Sequence, residues 1–203
     1  MADKTTEAYN KIAEDYNKRN YNHFWQKEYK FYKSIIFGKK IIDLGCGAGR
    51  DAEAFVKDGF NYLGIDSSEE MLKIAKERVP DGQFEVMNLR NIDLPFESFD
   101  GFWASASLLH FPKKEVPMIL KSFYNILKNN GVGFISVKEK RDVDEGFIKE
   151  EKYGGIERYF SFFTEEEMDN FLEKAGFSIL KHLYLFEEAP SDTKWLCFFV
   201  KKD

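Results

Sequence analysis

A run of alternating glycines between a short apolar segment and an amphipathic segment constrains this fold more than any other feature. Residues 40–44 are largely aliphatic, and Gly45, Gly47 and Gly49 follow them at alternate positions. Residues 50–58 then carry apolar side chains at helical spacing. A strand, a tight glycine turn and a helix in this order predict the first unit of an α/β fold.

The same alternation of short β-rich runs and longer helical segments continues to residue 137. A second strand at 60–66 is followed by a helix to residue 79, for which Ser67 and Glu70 offer a capping box. Further elements are expected as strands at 83–86, 99–104 and 132–137 and as a helix at 115–128 that ends at Asn129-Asn130-Gly131. Helices that cross over between strands predict a parallel sheet.

The last third of the chain has a different pattern. Residues 138–163 form a long, charged connection that carries aromatic side chains, which predicts a lid or a substrate-binding segment. Thr164 and Glu167 offer a capping box for a helix that ends at Gly176. Two β-rich segments follow and are expected to pair in antiparallel fashion, at residues 177–186 and 194–201.

Together these elements predict an α/β fold with a doubly wound, Rossmann-like sheet of seven strands, mostly parallel with an antiparallel last strand pair. Before the first strand, Ala8, Ile12 and Tyr16 have helical spacing, which predicts a helical cap over the sheet. We expect a single domain over residues 1–203. Its parts would be the helical cap (1–37), a cofactor-binding core (38–137), a lid or substrate connection (138–163) and the C-terminal helix with its strand pair (164–203).

Size and composition exclude several classes of protein. The chain has 203 residues, 43% of them hydrophobic, and can build an ordinary core without disulfides or a structural metal. Cys46 and Cys197 lie too far apart in sequence for a metal knuckle and fit a reducing compartment. No apolar run approaches the ~20 residues of a membrane span, and the first residues lack a secretory pattern. We therefore expect a cytoplasmic protein without a membrane partner.

The charge balance bears on the partner. The 30 Lys and Arg residues against 35 Asp and Glu residues give a net charge of −5. This balance disfavours nucleic acid and anionic membranes as general partners, because both attract basic surfaces. A small-molecule partner fits the acidic balance better. The sequence indicates no oligomeric state.

The glycine turn predicts a nucleotide-like ligand. Alternate glycines let the backbone approach a ligand closely, and the following helix presents free N–H groups. The third glycine of a nicotinamide fingerprint would stand where this chain has Arg50, so the dinucleotide pattern fits poorly. Asp43, just before the turn, adds a negative charge that suits a ligand carrying positive charge.

Two further strand ends carry side chains suited to a nucleoside. Asp66 ends the second strand, where a carboxylate can accept hydrogen bonds from both hydroxyls of a ribose. At the end of the third strand, Asn88 and Leu89 offer an amide for an adenine edge and an apolar surface for its face. An ordinary turn explains Asn88 equally well.

At this point four segments resemble, in order and spacing, the motifs of the class I S-adenosylmethionine-dependent methyltransferases. They are Asp43-Leu44-Gly45-Cys46-Gly47-Ala48-Gly49, Gly64-Ile65-Asp66, Leu94-Pro95-Phe96-Glu97-Ser98-Phe99-Asp100 and Leu127-Lys128-Asn129-Asn130-Gly131. The resemblance extends from about Tyr9 to Lys202. It implies S-adenosyl-L-methionine as the cofactor and says little about the methyl acceptor.

The resemblance also implies which residues bind the cofactor. They are Asp43, Gly45 and Gly47 at its methionine part, Asp66 at the ribose, Asn88 and Leu89 at the adenine, Ala104, Ser105 and Leu109 near the sulfonium, and Cys46, Ser67 and Met71 as further contacts. Many relatives have Asp at the position of Asn88. Tyr9 and Tyr16 resemble the N-terminal cap of the family, which closes over the cofactor, and packing alone explains them nearly as well.

Narrower resemblances point to different acceptors. Residues 103–111 and 193–196 resemble a bacterial subgroup of small methyltransferases that is partly similar to tellurite-resistance enzymes. Arg158-Tyr159-Phe160, with the tryptophan-bearing last strand, resembles the methyltransferases of wobble uridine in tRNA. Those enzymes carry a histidine soon after an Arg-Tyr-Tyr element, where this chain has Ser161-Phe162-Phe163.

Methyl transfer from a sulfonium is an in-line displacement, in which the protein mainly aligns the acceptor and excludes water. We expect no metal. An oxygen or nitrogen acceptor can need a base, and His110 is the candidate because it follows the fourth strand and has a near-neutral intrinsic pKa. A histidine at this position could equally cap a helix or bond a backbone carbonyl.

Other side chains belong to residue types that can bind an acceptor, act as a nucleophile or bind a metal. Arg158 and Tyr159, with Tyr153, could recognise an anionic or aromatic acceptor, although a solvated loop charge is the simpler interpretation of Arg158. Cys46 has no partner in sequence for a nucleophilic role. His23 and His182 have no metal-ligand companions at useful spacing and are expected to be ordinary surface or core residues.

Several functions remain open on the sequence. The first is methyl transfer to an oxygen or nitrogen atom of a small molecule. The second is an RNA-modifying methyltransferase of the wobble-uridine type, and the third is a cofactor-binding module without catalysis. A nicotinamide-dependent dehydrogenase is the least favoured.

Overall fold

A computed structural model describes residues 4–21, 25–186 and 193–203. The helices of these ranges are α1 (Lys4–Asn20), α2 (Gln26–Ile35), α3 (Ala52–Lys57), α4 (Glu69–Arg78), α5 (Val116–Ile126) and α6 (Glu165–Ala175). The strands are β1 (Lys40–Leu44), β2 (Asn61–Asp66), β3 (Gln83–Val86), β4 (Phe99–Ser105), β5 (Leu127–Lys138), β6 (Glu145–Glu150), β7 (Ile156–Ser161), β8 (Phe177–Phe186) and β9 (Lys194–Lys202). No helix within these ranges has the length and apolar character needed to cross a bilayer.

Seven strands form one sheet in the order β3-β2-β1-β4-β5-β9-β8. The first five strands of this order form four parallel pairs, whereas β9 pairs antiparallel with both β5 and β8. The predicted fold class, a doubly wound sheet with an antiparallel last pair, is confirmed. Within that pair only β9 runs against the rest of the sheet. Strands β6 and β7 form a separate antiparallel hairpin.

The order of the strands places a cleft at one edge of the sheet. β1 lies between β2 and β4, and Asp43 is in register with Gly64 on one side and Trp103 on the other. The chain leaves β1 toward β2 and later returns to the other side of β1 as β4. In open α/β sheets, ligands bind outside the carboxyl ends of the strands at such a switch point.

Aromatic packing holds the sheet beneath this edge. Trp103 stacks on Phe134 with the ring centroids 3.9 Å apart, and both rings are fully buried. From α2, Tyr32 packs edge-on against Trp103 at 5.4 Å. Trp25, the residue just before α2, packs edge-on against Trp195 at 5.3 Å. The high aromatic content of the chain therefore goes largely into a bulky core that fixes the strands of the cleft.

The fifth strand begins earlier than predicted. Helix α5 ends at Ile126, and the chain enters β5 at Leu127, whereas the sequence pattern predicts helix to residue 128 and a strand only from 132. The N–H groups of Glu97 and Ser98 donate to the last carbonyls of α5, at Asn125 and Ile126. The loop at residues 97–98 thus ends the helix at Ile126. The turn signal at residues 129–131 therefore predicted an end that lies too late in the sequence.

The cap of α4 is also one residue from its predicted place. Ser68, and not Ser67, is the N-cap, and its hydroxyl accepts a hydrogen bond from the Met71 N–H at 3.2 Å. The Ser67 hydroxyl instead shares a 2.8 Å hydrogen bond with the Thr6 hydroxyl of α1. The capping box predicted at Thr164 and Glu167 is confirmed.

The long connection at 138–163 contains regular structure that the sequence analysis missed. β6 and β7 pair across six positions, from Glu145 with Ser161 to Glu150 with Ile156. The hairpin turn uses Gly154 and Gly155, both at positive φ. One face of this hairpin packs against α1, as the backbone N–H of Tyr159 donates to the Thr5 hydroxyl at 3.1 Å.

Candidate active site

A cleft lies at the carboxyl edge of β1, β2 and β4, and α1 forms its roof. The empty space of the cleft and its mouth is about 1060 Å³. Most residues proposed from the sequence line this cleft, namely Tyr9, Tyr16, Asp43, Gly45, Cys46, Gly47, Asp66, Ser67, Met71, Leu89, Ser105 and His110. The structure therefore brings residues between Tyr9 and His110 in the sequence to one place.

The glycine turn has the geometry that its sequence predicts. Gly45, Gly47 and Gly49 all have positive φ, at 86°, 53° and 73°. A Cβ on Gly45 would lie 2.5 Å from the Cβ of Ser107, so the turn packs directly on the segment that follows β4. A Cβ on Gly47 would meet no atom within 4 Å, which shows that the backbone there borders open space. Only glycine combines this backbone with this approach at low cost.

Asp66 is fixed at the end of β2 by the backbone around it. Its carboxylate accepts hydrogen bonds from the N–H of Gly47 at 3.0 Å and from the N–H of Ser68 at 2.8 Å. Burial raises the pKa of Asp66, and these backbone donors oppose the rise. The carboxylate keeps acceptor capacity that can face the cleft, because each of its oxygens offers two lone pairs.

Asp51 and Arg50 also line the floor of the cleft. Arg50 donates to Asp51 through Nε at 2.6 Å and through Nη2 at 2.9 Å, and the Trp103 indole N–H donates to the same carboxylate at 2.8 Å. Arg50 also donates to the Ser105 hydroxyl at 3.2 Å. This network orients Arg50 firmly, and the sequence analysis assigned no binding role to Arg50 or Asp51.

Asp43 is nearly inaccessible, with 2% of its surface exposed. The Tyr62 hydroxyl donates to its carboxylate at 2.8 Å. Burial raises the pKa of Asp43 well above the usual range, and the neighbouring Asp51 raises it further. A positive charge in the cleft would favour the ionised form of Asp43, because opposite charges lower the pKa of a carboxyl group.

Tyr9 and His110 meet at the roof of the cleft. The Tyr9 hydroxyl and His110 Nε2 are 2.7 Å apart, and the other ring nitrogen, Nδ1, is 2.8 Å from the Tyr159 carbonyl oxygen. Burial raises the pKa of Tyr9 well above its usual value, so the phenol stays protonated. His110 therefore makes the hydrogen bond to a backbone carbonyl that was one of its two expected roles. It also lines the cleft, as its other expected role, that of a base, requires.

Polar contacts help to hold helix α1 over the cleft, beside the apolar packing of Ala13 with Met71 and Ala48. Asn10 accepts a hydrogen bond from the Ser68 hydroxyl at 2.7 Å, and Asn17 accepts one from Arg78. Arg78 also donates to the Ala48 carbonyl at 2.8 Å, next to the glycine turn. Arg78 of α4 thereby links α1 to the glycine turn.

Some proposed residues do not line the cleft. Ala104 and Leu109 are fully buried behind it, and Asn88 accepts a hydrogen bond from the Arg90 N–H at 2.9 Å, as its interpretation as a turn residue expects. Tyr159 contributes its backbone to this region, and its ring packs edge-on against Phe147 at 5.3 Å.

Arg158 is not a solvated loop charge, so that interpretation is wrong. Its side chain is 4% exposed, and Nε donates to Glu150 at 2.6 Å. The guanidinium lies 4.6 Å from the centre of the Tyr9 ring and 5.2 Å from that of Tyr153. It joins the β6–β7 hairpin to α1 and does not line the cleft.

His182 has the acidic companions that its sequence spacing did not reveal. Its Nδ1 is 2.7 Å from Glu165 and its Nε2 is 3.1 Å from Asp169, which lie one turn apart on α6. The earlier expectation of no ligand-type companions is therefore wrong for His182. His23 lies outside the described residues. Cys46 is buried, and its burial raises the pKa of the thiol, which opposes a nucleophilic role.

Ala106 is a site residue that no sequence signal could have indicated. It lines the cleft between Ser105 and Ser107 and has φ of 55°, an unusual conformation for a residue with a Cβ. Its N–H donates to the Ser136 hydroxyl at 2.9 Å. Other lining residues not proposed from the sequence are Thr5, Thr6, Asn17, Asn20, Tyr21, Ala48, Arg50, Asp51, Arg78, Met87, Ser107 and Phe111.

Comparisons with known proteins bear on what this cleft binds. The family model described as "Methyltransferase domain" matches residues 41–131. A protein of Geobacillus sp. (strain WCH70) named as a methyltransferase is 26% identical over 239 residues, covering 96% of each chain. Three other curated relatives are longer, and the chain spans 42%, 42% and 55% of their lengths.

Solved structures share the fold. The S-adenosylmethionine-dependent methyltransferase of Methanosarcina mazei superimposes with a TM-score of 0.76 at 18% identity, covering 85% of this chain and 96% of that one. The 1,6-didemethyltoxoflavin-N1-methyltransferase of Burkholderia thailandensis, solved with 1,6-didemethyltoxoflavin and S-adenosylhomocysteine bound, gives 0.67 at 19% identity, covering 100% and 91%.

The matched segment, residues 41–131, runs from β1 into β5 and carries both the glycine turn and Asp66. The strand order and the roofed cleft at the switch point agree with the four motifs found in the sequence. On this basis residues 41–131 belong to the methyltransferase-domain family, and the chain as a whole has the fold and the motifs of the class I S-adenosylmethionine-dependent methyltransferases.

Proposed function

We propose that this enzyme transfers the methyl group of S-adenosylmethionine to an oxygen or nitrogen atom of a small molecule. One observation carries the proposal: a single roofed cleft joins an acidic floor, at Asp43 and Asp66, to a protonatable pair in its roof, Tyr9 and His110. The floor suits a cationic nucleoside, and the pair suits an acceptor that must lose a proton.

The residues present fit the cofactor. Gly47 borders open space where a side chain would intrude, as a close backbone approach to a ligand requires. Asp43, Asp51 and Asp66 line the cleft together with two arginines, Arg50 and Arg78, so carboxyl groups outnumber guanidinium groups in the lining. The sulfonium and the ammonium of the cofactor are positive, and its carboxylate is negative, which matches this mixed but acidic lining.

Each part of the cofactor has a candidate partner. Asp66 would accept hydrogen bonds from the ribose hydroxyls, while Asp43, Gly45 and Gly47 would hold the methionine part. Leu89 and Met71 offer apolar surface for the adenine, and Ser105 lies beside Arg50 near the expected place of the sulfonium. Tyr9 and Tyr16 would cover the bound cofactor from α1.

The cofactor supplies a methyl group on a positively charged sulfur, which makes the methyl carbon electrophilic. The protein then has to align the acceptor, exclude water and remove a proton where the acceptor carries one. Helix α1 excludes water by covering the cleft. His110 is the proposed base, because it is the histidine that lines the cleft among the described residues.

A small acceptor is supported by several observations. The cleft is roofed by α1, which favours a ligand that fits inside it. Arg158, which could have contacted an RNA phosphate, is occupied by Glu150. The Burkholderia thailandensis enzyme, which shares the fold, was solved with 1,6-didemethyltoxoflavin bound. We place the reaction in the cytoplasm as part of this proposal, from the cysteine usage of the chain.

The test is transfer of labelled methyl from S-adenosylmethionine into a cell extract that is afterwards separated into small-molecule, RNA and protein fractions. Label in the small-molecule fraction, lost in the Asp66→Ala variant, would support the proposal and provide a product for identification. Label in the RNA fraction would replace the proposed acceptor with RNA. Binding of S-adenosylhomocysteine without transfer to any fraction would favour a binding module.

A further inference from the structure

The protonation of the His110 ring follows from the hydrogen bonds at its two nitrogens. A carbonyl oxygen can only accept a hydrogen bond, so Nδ1, 2.8 Å from the Tyr159 carbonyl, must carry a proton. In the neutral ring Nε2 is then the acceptor, and the Tyr9 hydroxyl at 2.7 Å must be its donor. The proton of Tyr9 therefore points at His110, and a lone pair of the Tyr9 oxygen stays available.

His110 cannot readily receive a proton from an acceptor molecule in this arrangement. Its only basic nitrogen is covered by the Tyr9 hydroxyl, and its other nitrogen is bound to the hairpin. Tyr9 also lines the cleft, so its oxygen is the part of the pair that an acceptor can reach.

We propose that Tyr9 relays a proton from the acceptor to His110, which makes Tyr9 the catalytic residue at the acceptor and His110 a base that acts through it. This inference rests on the proposed function, because it concerns the same reaction. It also implies an acceptor that is a hydroxyl or an amine, since these carry a proton that must leave.

The relay is balanced in atoms and electrons. The acceptor's O–H or N–H proton moves to the Tyr9 oxygen, and the Tyr9 proton moves to Nε2 of His110. The electron pair left on the acceptor forms the bond to the methyl carbon, while the electrons of the carbon–sulfur bond stay on sulfur. Tyr9 ends as a neutral phenol and His110 as an imidazolium, whose Nδ1 proton the Tyr159 carbonyl already accepts.

Tyr9 is better suited to relay a proton than to act as the base itself. Burial raises its pKa well above the usual value, so a free phenolate is not maintained near neutral pH. The charged groups that act on Tyr9 are Arg158 from β7, Glu150 from β6 and Asp66 from β2. A hydroxyl that passes one proton while receiving another never has to become an anion.

The relay is assembled only when α1 is docked. The Tyr159 backbone holds both ends of it, because its carbonyl accepts from His110 and its N–H donates to Thr5 on α1. Arg158 adds a contact with the face of the Tyr9 ring at 4.6 Å. The helix that closes over the cleft would thus also deliver the hydroxyl that starts proton removal.

A first test measures the hydrogen bond without catalysis. The chain has three histidines, so nitrogen-15 spectra of histidine-labelled protein can be assigned with His110→Gln. We expect the Nδ1–H tautomer at His110 and a shift of its Nε2 signal in Tyr9→Phe. The control Tyr184→Phe removes a tyrosine hydroxyl from Glu165 at the sheet edge and should leave that signal unchanged. An Nε2–H tautomer would overturn the relay.

A second test measures turnover with label transfer into the accepting fraction at saturating S-adenosylmethionine. We expect Tyr9→Phe to lower kcat about 100-fold or more, in the range of general base catalysis. Binding of S-adenosylhomocysteine should change less than about threefold, because Phe keeps the ring that covers the cleft. In the unsubstituted enzyme kcat should rise with pH as His110 loses its proton, and this rise should be absent in both Tyr9→Phe and His110→Gln.

The outcomes separate the relay from the proposed function. Transfer that survives Tyr9→Phe with its pH dependence intact would overturn the relay alone. A loss confined to cofactor binding, with kcat retained, would make Tyr9 a cap residue and overturn the relay as well. Failure of the unsubstituted enzyme to label any fraction would overturn the proposed function, while the spectra would still report on the hydrogen bond.

Discussion

The N–H of Gly47 donates a hydrogen bond to the carboxylate of Asp66 at 3.0 Å, so the glycine turn after β1 is joined directly to the end of β2. The Ser68 N–H donates to the same carboxylate at 2.8 Å. Two backbone donors thus hold one acid at the point where the two strands meet. This arrangement explains why a ligand could be recognised by backbone and side chain together.

We expect Asp66→Asn to weaken binding of S-adenosylhomocysteine about 100-fold, because hydrogen bonds to a charged group contribute about 1.5–3 kcal/mol each. Calorimetry measures the change directly. The control is Asp81→Asn, which removes an exposed carboxylate in the turn before β3. Equal affinities of Asp66→Asn and the unsubstituted protein would contradict the proposed ribose contact, and tighter binding of NAD than of S-adenosylhomocysteine would contradict the cofactor.

The contact between Gly47 and Asp66 could be predicted from the sequence, because the glycine turn and the end of β2 are each indicated by local sequence. Alternate glycines after an aliphatic run indicate a turn that needs positive φ, and a parallel register brings the ends of neighbouring strands to one edge. For the same reason β1 and β3 have the predicted bounds.

Contacts between distant segments were beyond the reach of sequence patterns. The hydrogen bond between Tyr9 and His110 joins residues 101 positions apart and depends on where α1 docks. The β6–β7 hairpin was hidden because charged residues such as Glu145 and Lys149 occupy its exposed positions, and its other face is covered only once α1 packs on it. The positive φ of Ala106 is set by Ser136 on a neighbouring strand.

Asp43 makes a prediction about pH. Burial and the nearby Asp51 raise its pKa in the folded protein, whereas an unfolded Asp titrates near about 4. An acid with a raised folded pKa stabilises the fold below its unfolded pKa, and this contribution is lost as pH rises through the folded pKa. Asn at position 43 does not titrate, so Asp43→Asn should not lose stability in this way as pH rises. Its amide oxygen can still accept the hydrogen bond from the Tyr62 hydroxyl.

The free energy of unfolding of Asp43→Asn should therefore exceed that of the unsubstituted protein, and the difference should grow as pH rises above about 4. The full difference should be about 1.4 kcal/mol for each unit by which the pKa of Asp43 is raised in the folded protein. Urea titrations at several pH values measure it. The variant should also bind S-adenosylhomocysteine more weakly, because it lacks the carboxyl group that the positive ammonium of the ligand would help to ionise. A stability difference that is constant with pH would contradict the raised pKa.

Ser67 and Ser68 form a matched pair for helix capping. Only Ser68 accepts from an N–H of the first turn of α4, so Ser68→Ala should cost about 1 kcal/mol of stability. Ser67→Ala removes the contact with Thr6 of α1 and leaves the helix cap in place. We expect a lower midpoint of urea unfolding for Ser68→Ala than for Ser67→Ala. The reverse order would show that the cap lies at the residue predicted from the sequence.

The last prediction concerns the ion pair of Arg158 and Glu150, whose side chains are 4% and 12% exposed. Removing one member of a buried pair leaves the other charge without a partner, which costs about 3–5 kcal/mol. Arg158→Met should therefore lower the stability markedly, and with about 2–4 °C of Tm per kcal/mol for a chain of this size the drop should be about 6–20 °C.

The double variant Arg158→Met with Glu150→Met should recover part of that loss, because no charge is left buried. Both variants should also bind S-adenosylhomocysteine more weakly, since Arg158 contacts the Tyr9 and Tyr16 rings of α1 and so helps to hold the roof of the cleft. Thermal unfolding and calorimetry on the three proteins separate the two effects. If Arg158→Met had the same Tm as the unsubstituted protein but abolished methyl transfer, the result would show that Arg158 contacts the acceptor. That is one of the two roles that the sequence suggested for it.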